Sequence, residues 1–152
     1  MDTITPRPAH LTWPYLGLVF LGGTAGTALR EALGVLLPFD VAAGARLPLT
    51  TVGINLLGAL LLGLLLEALV RRGRDAGGRR YLRLLLGTGL LGGFTTYSAL
   101  ATDSALLLQG GDIPLAVAYA LGSVLLGGLA TWLGIVLGAA LHRQASARGE
   151  NG

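Results

Sequence analysis

Residues 92–100 read GGFTTYSAL. The run before them, LRLLLGTGLL over 82–91, is apolar, and a further apolar segment follows. A glycine pair and a group of small hydroxyl side chains therefore sit midway through what otherwise reads as a membrane helix. In hydrocarbon an unpaired backbone amide or carbonyl costs several kcal/mol, so a break at this depth survives only where protein, an ion or water satisfies the freed groups. The stretch predicts a helix interrupted over Gly92–Thr96, with an ion site at the interruption.

The composition agrees with a membrane setting. Of 152 residues, 53% are hydrophobic and 12% are charged, far from the soluble average. The 25 glycines lie inside apolar runs, where they let helices approach closely or kink. Absence of cysteine excludes disulfides, thiolate metal sites and a cysteine nucleophile. His10 and His142 lie near the chain ends, which leaves no histidine base in the membrane interior for hydrolytic chemistry. All eleven basic residues are arginines, and six of them (71, 72, 74, 79, 80 and 83) fall in one short loop. Cytoplasmic anchoring accounts for that loop, and no nucleic-acid partner is expected.

The fold class expected is an all-α integral membrane protein with four transmembrane helices, the third broken near its middle. Residues 1–14, rich in proline and ending near Trp13, read as a disordered tail without the apolar core of a signal peptide. Residues 15–141 form the membrane domain, with spans at about 15–37, 49–70, 81–108 and 114–141, each near the ~20 residues a bilayer requires. Residues 142–152 form a polar, basic tail. An even number of spans places both termini on the side of the basic loop, hence in the cytoplasm, in a multi-pass protein of the inner or plasma membrane.

Few side chains inside the spans are polar. Arg30, followed at once by Glu31, either reaches the headgroups and pairs with the acid or attracts anions into a vestibule. Thr51 and Asn55 are four apart on one helical face, with Gly58 three further along. Asn55 either bridges helices or offers amide hydrogens to a dehydrated anion. Tyr119, Ser123 and Thr131 are the polar features of the fourth span, beside a small-residue ridge of Ala130, Gly134 and Gly138. Acids are expected only near span ends, at Glu31 and Glu67.

Three segments in order resemble the CrcB/Fluc fluoride channels. GGFTTYSAL is similar to that family's GGxTTFSTF signature, TTVGINLLG to its GTLxVNxxG segment, and GGTAGTALR to its first-helix GGxxGAxxR. Ser123, before a glycine-rich stretch that ends LATWLG, resembles the fourth helix. The resemblance implies a passive channel that exports cytoplasmic fluoride, an antiparallel dimer with two pores, and a structural sodium ion buried at the interface and not transported. It implies sodium ligation by the backbone carbonyls of Gly92 and Thr95. It also implies pore or near-pore roles for Arg30, Thr51, Asn55, Thr96, Tyr97, Ser98 and Ser123. Such a pore must replace the water around a small, tightly hydrated anion with amide and hydroxyl donors and with the positive edge of an aromatic ring.

Two departures bear on the partner. Tyr97 and Leu100 stand where the signature has phenylalanines, so one aromatic edge is kept with an added hydroxyl and the other is lost. The arginine bias opposes insertion of one sequence in both orientations. A heterodimer with an oppositely biased paralogue is therefore an alternative to the homodimer, with this chain as a half-pore or non-conducting subunit. A small multidrug-type exporter is the other alternative; it would need a mid-span carboxylate. An enzyme is not expected, because no base is placed to activate the serines and threonines.

Overall fold

The computed structural model describes residues 12–37 and 47–149, the last five of these by backbone alone. Arg7, His10 and most of the expected N-terminal tail lie outside the described residues, as do Asp40 and Arg46 of the first loop. Among the described residues every regular element is helical. In chain order these are α1 (Trp13–Leu36), α2 (Leu49–Arg71), α3 (Gly78–Leu82), a π-helical segment π1 (Arg83–Leu91), α4 (Gly92–Phe94), α5 (Tyr97–Gln109) and α6 (Ile113–Gly149).

Local chemistry sets the ends. Pro14 lies in the first turn of α1, where its missing N–H deprives the helix of nothing, and the Thr12 carbonyl accepts from the Tyr15 and Leu16 amides. At 23 residues α2 is about 34 Å long, enough to cross a hydrocarbon core of about 30 Å. It stops at Arg71, two residues before Gly73, whose φ of 111° a side chain would resist. The last helix continues through Gly149, so residues 142–149 extend it.

The third crossing is continuous in direction but not in geometry. From Arg83 to Leu91 the helix is widened, and the Gly92 amide reaches back five residues to the Gly87 carbonyl. Widening of this kind is rare and concentrates at functional sites. Thr95 (φ −77°, ψ 155°) and Thr96 (φ −145°, ψ 121°) then leave helical geometry before α5 begins. The break falls inside the expected interval, at its C-terminal end.

The helices pack as two parallel pairs. α2 lies along α6, α1 lies along π1 and α4, and α1 scarcely touches α2. Residue order rises together in both pairs. Gly22 faces Leu85 and Leu90 while Gly26 faces Leu90 and Phe94; Gly134 faces Leu60 and Leu64 while Gly138 faces Glu67. Side chains at Gly22, Gly26 or Gly134 would drive a Cβ into the facing backbone, so these glycines set the helix separation. Parallel first–third and second–fourth pairs are what a chain alternating direction at each crossing produces.

Burial is concentrated at the break. Phe94 is only 2% exposed, its ring lies over Gly58, and Leu91 and Ile54 are also buried. Most other large apolar side chains point outward, including Phe20, Val124 and Trp132. That distribution suits helices whose surroundings are hydrocarbon. The three segments Leu49–Arg71, Gly78–Gln109 and Ile113–Gln144 are long and apolar enough to cross a membrane; α1, with 24 residues, is comparably long but less apolar.

Candidate ion site at the broken helix

The break is held by one side chain from another crossing. The Thr96 amide donates to Asn55 Oδ1 at 2.8 Å, and Asn55 Nδ2 donates back to the Thr96 carbonyl at 3.0 Å. Asn55 thus supplies for one peptide unit the pairing that a continuous helix would have provided. Thr96 also caps α5: its Oγ1 accepts from the Ala99 amide at 3.1 Å and shares a hydrogen bond with Ser98 Oγ at 3.0 Å. On the N-terminal side, the Leu91 carbonyl accepts from both the amide and the hydroxyl of Thr95, and the Gly93 carbonyl accepts from Thr27 Oγ1.

Among the described residues no side-chain or loop hydrogen bond reaches the carbonyl oxygens of Gly92, Phe94 or Thr95. Freed carbonyls at a helix break are suitable ligands for a hard cation such as sodium. No group of three His, Cys, Asp or Glu side chains capable of holding a metal occurs among the described residues, so a cation here would rest on backbone oxygens.

Above the break lies a cavity of about 600 Å³. It gathers four of the residues singled out from sequence: Arg30 from α1, Thr51 from α2, and Thr96 and Ser98 from the start of α5. Thr51, Asn55 and Gly58 share the α2 face turned to the break, as their spacing predicts. Arg30 Nε and Nη2 donate to Glu31 Oε1 at 3.2 and 3.1 Å, and the arginine side chain is 24% exposed against 70% for the glutamate. Arg30 thus both pairs with its neighbour and faces the cavity.

Three assigned residues lie elsewhere. Asn55 is spent on the Thr96 peptide rather than lining the cavity. Tyr97 is 81% exposed and points away from the packed interior. The Ser123 hydroxyl is buried in the fold and has no hydrogen-bond partner among the described residues.

Asp103 adds a third acid to the expected Glu31 and Glu67, and like them it lies toward the end of its span. This residue lies mid-way along α5, lines the cavity with Glu31 and Thr102, and accepts a hydrogen bond from the Tyr119 hydroxyl at 3.1 Å. Tyr119 is 5% exposed and sits one helical turn before Ser123. Two signals were available in sequence: an aspartate inside an apolar segment, and a tyrosine opposite it across a short loop.

Fold and site together define a small helical membrane protein built around a discontinuous helix, a class in which unwound backbone handles ions. Residues 17–135 match the model of the family described as CrcB-like protein, Camphor Resistance (CrcB). The chain belongs to that family. Among its relatives, "Fluoride-specific ion channel FluC 2" of Leifsonia xyli is 44% identical over 134 residues, which cover 88% of this chain and 90% of the relative. "Fluoride-specific ion channel FluC 1" of Cutibacterium acnes is 46% identical over 118 residues, 78% of this chain and 80% of its own. "Fluoride-specific ion channel FluC" of Thermus thermophilus is 44% identical over 124 residues, covering 82% and 94%. These relatives are named as ion channels and none of the three as an enzyme.

Proposed function

We propose that this chain is a fluoride channel subunit that lets cytoplasmic fluoride leave the cell passively. The observation that carries the reading is the Asn55–Thr96 clasp beneath a cavity lined by Arg30, Thr51 and Ser98. Arg30 draws the anion toward the cavity, and the hydroxyls of Thr51, Thr96 and Ser98 exchange with its hydration water. The buried Ser123 hydroxyl and the edge of Tyr97 continue the track in the assembled channel. The termini and the arginine loop face the cytoplasm.

Sodium fits the break as a structural ion. The Gly92 and Thr95 carbonyls of two oppositely inserted subunits would hold it, supplying a fixed positive charge and tying the two broken helices together. A homodimer meets this requirement. The six-arginine loop favours a heterodimer with a paralogue of opposite charge bias, because one strongly biased sequence resists insertion both ways.

Fluoride-electrode efflux from liposomes tests the reading, with this chain alone and with a paralogue from the same genome. Fluoride release without chloride release is expected. Equal rates for the two anions would overturn the selectivity, and robust flux from the purified single chain would exclude the obligate heterodimer.

A further inference from the structure

At the opposite end of α2 from the cavity, the chain turns through the arginine loop. Thr51 and Leu66 are fifteen residues apart on one helix, so the two regions are separated by about 22 Å. Between the end of α2 and the start of π1 lies a pocket of about 130 Å³ whose walls are of two kinds. Leu66, Leu69 and Val70 form an apolar wall, and Val70 is 72% exposed on the side that continues into the membrane-facing surface of α2. Arg79, Arg83 and the Asp75 carboxylate form the other wall, with Gly73 at the turn.

The cationic wall is held in place. Arg79 Nε donates to the Arg74 carbonyl at 2.9 Å, and its guanidinium lies over Gly73, 3.6 Å from where a Cβ would stand. No protein acceptor among the described residues is hydrogen-bonded to the Arg79 Nη groups. Asp75 is already engaged: Arg83 grips both its oxygens at 3.1 and 2.9 Å, and Arg80 approaches at 3.6 Å. The Arg83 hydrogen bonds hold the Asp75 carboxyl below its ordinary range. Arg71 pairs with Glu67. Arg72, Arg74 and Arg79 have no carboxylate partner among the described residues, and Arg80 and Arg83 share the single charge of Asp75, a local excess of four positive charges.

A preorganised guanidinium beside an apolar wall at a membrane boundary matches one kind of ligand. We infer that this pocket binds the phosphodiester headgroup of an anionic membrane lipid, with the headgroup on Arg79 and an acyl chain along Val70 and Leu66. Arginine suits a phosphate because its planar donors engage two oxygens at once. A zwitterionic lipid would bring its own cation into a site already in positive excess. A soluble anion would leave the apolar wall unused. The bound lipid fixes the basic loop at the headgroup level and reinforces one orientation of the chain. This inference does not rest on fluoride transport.

The test is native mass spectrometry of the full chain, delipidated and then offered phosphatidylglycerol or phosphatidylcholine in equal amounts. Thermal stability is read in parallel with each lipid and with inorganic phosphate. Retention of phosphatidylglycerol at least fivefold above phosphatidylcholine is expected, together with a rise in melting temperature that inorganic phosphate does not reproduce. Arg79→Gln should abolish the preference, while Arg143→Gln, on another helix, should leave it intact. Should Arg79→Gln fail to fold, Val70→Asn replaces it and must lower lipid retention. Equal retention of the two lipids, undiminished preference in a folded Arg79→Gln, or an equal shift from inorganic phosphate would overturn the inference.

Discussion

Asn55 is the residue on which the broken helix depends. Replacing it by alanine orphans the amide and the carbonyl of Thr96 in a largely apolar interior, at about 1–3 kcal/mol for each group. Asn55→Ala should therefore lower the melting temperature in detergent by several degrees and abolish fluoride efflux, both measurable on one preparation. Glu31 presents a different case, since among the described residues its one hydrogen-bonded partner is Arg30 and it is mostly exposed. Glu31→Gln frees the arginine charge at the cavity mouth without removing a packed group. Initial fluoride efflux should rise about twofold to fivefold at low ionic strength and return toward the parent rate in high salt, where exposed charges are screened. An unchanged rate at low salt would count against Arg30 as an anion attractor.

At the scale of elements, the glycine contacts decide how close the helices lie. Gly134 meets the Leu60 carbonyl and the Leu64 amide across the α2–α6 contact, and no neighbouring side chain there can swing aside. Gly134→Val should force the most extensive helix pair apart, destabilise by about 1–3 kcal/mol or more, and give aggregated material on size exclusion. Gly17→Ala, where nothing lies within reach of a Cβ, is the neutral control. The arginine loop carries a pH dependence of defined sign. Asp75 has its folded pKa depressed below the ordinary carboxylate value, first through its hydrogen bonds to Arg83 and then through the charges of Arg83 and Arg80. Its contribution is complete above the unfolded value and is lost as pH falls through the folded one. Melting temperature should therefore show no Asp75-dependent change between pH 5 and 8, and the difference between parent and Asp75→Asn should vanish in strong acid.

Across the whole molecule, the charge asymmetry and the absence of cysteine permit a direct test of orientation. An Ala76→Cys variant should be protected from a membrane-impermeant maleimide in intact cells, and Gly110→Cys should be labelled. Labelling of both would show dual insertion and favour the homodimer over a heterodimer. The all-helical membrane fold, the site of the break and the polar face of α2 were legible in sequence because each follows from local composition or helical spacing. Asp103 was missed although it too lies toward a span end, and its tie to Tyr119 could not be read because it needs two helices side by side. Tyr97 is another limit: its place in the motif is visible, but its 81% exposure depends on which face of α5 the packing covers.

Hydrophobicity, glycine content and the polar interruption at 92–96 by themselves determined that this chain crosses a membrane and that its third crossing breaks, because bilayer thickness and backbone pairing act on contiguous residues. Only the tertiary structure decided what satisfies the break. Asn55 lies 41 positions from Thr96, and their pairing exists because Gly58 lets α2 approach Phe94 and Thr95 of the third crossing. The same placement decides which peptide oxygens at the break are engaged: that of Leu91 by Thr95, that of Gly93 by Thr27 and that of Thr96 by Asn55.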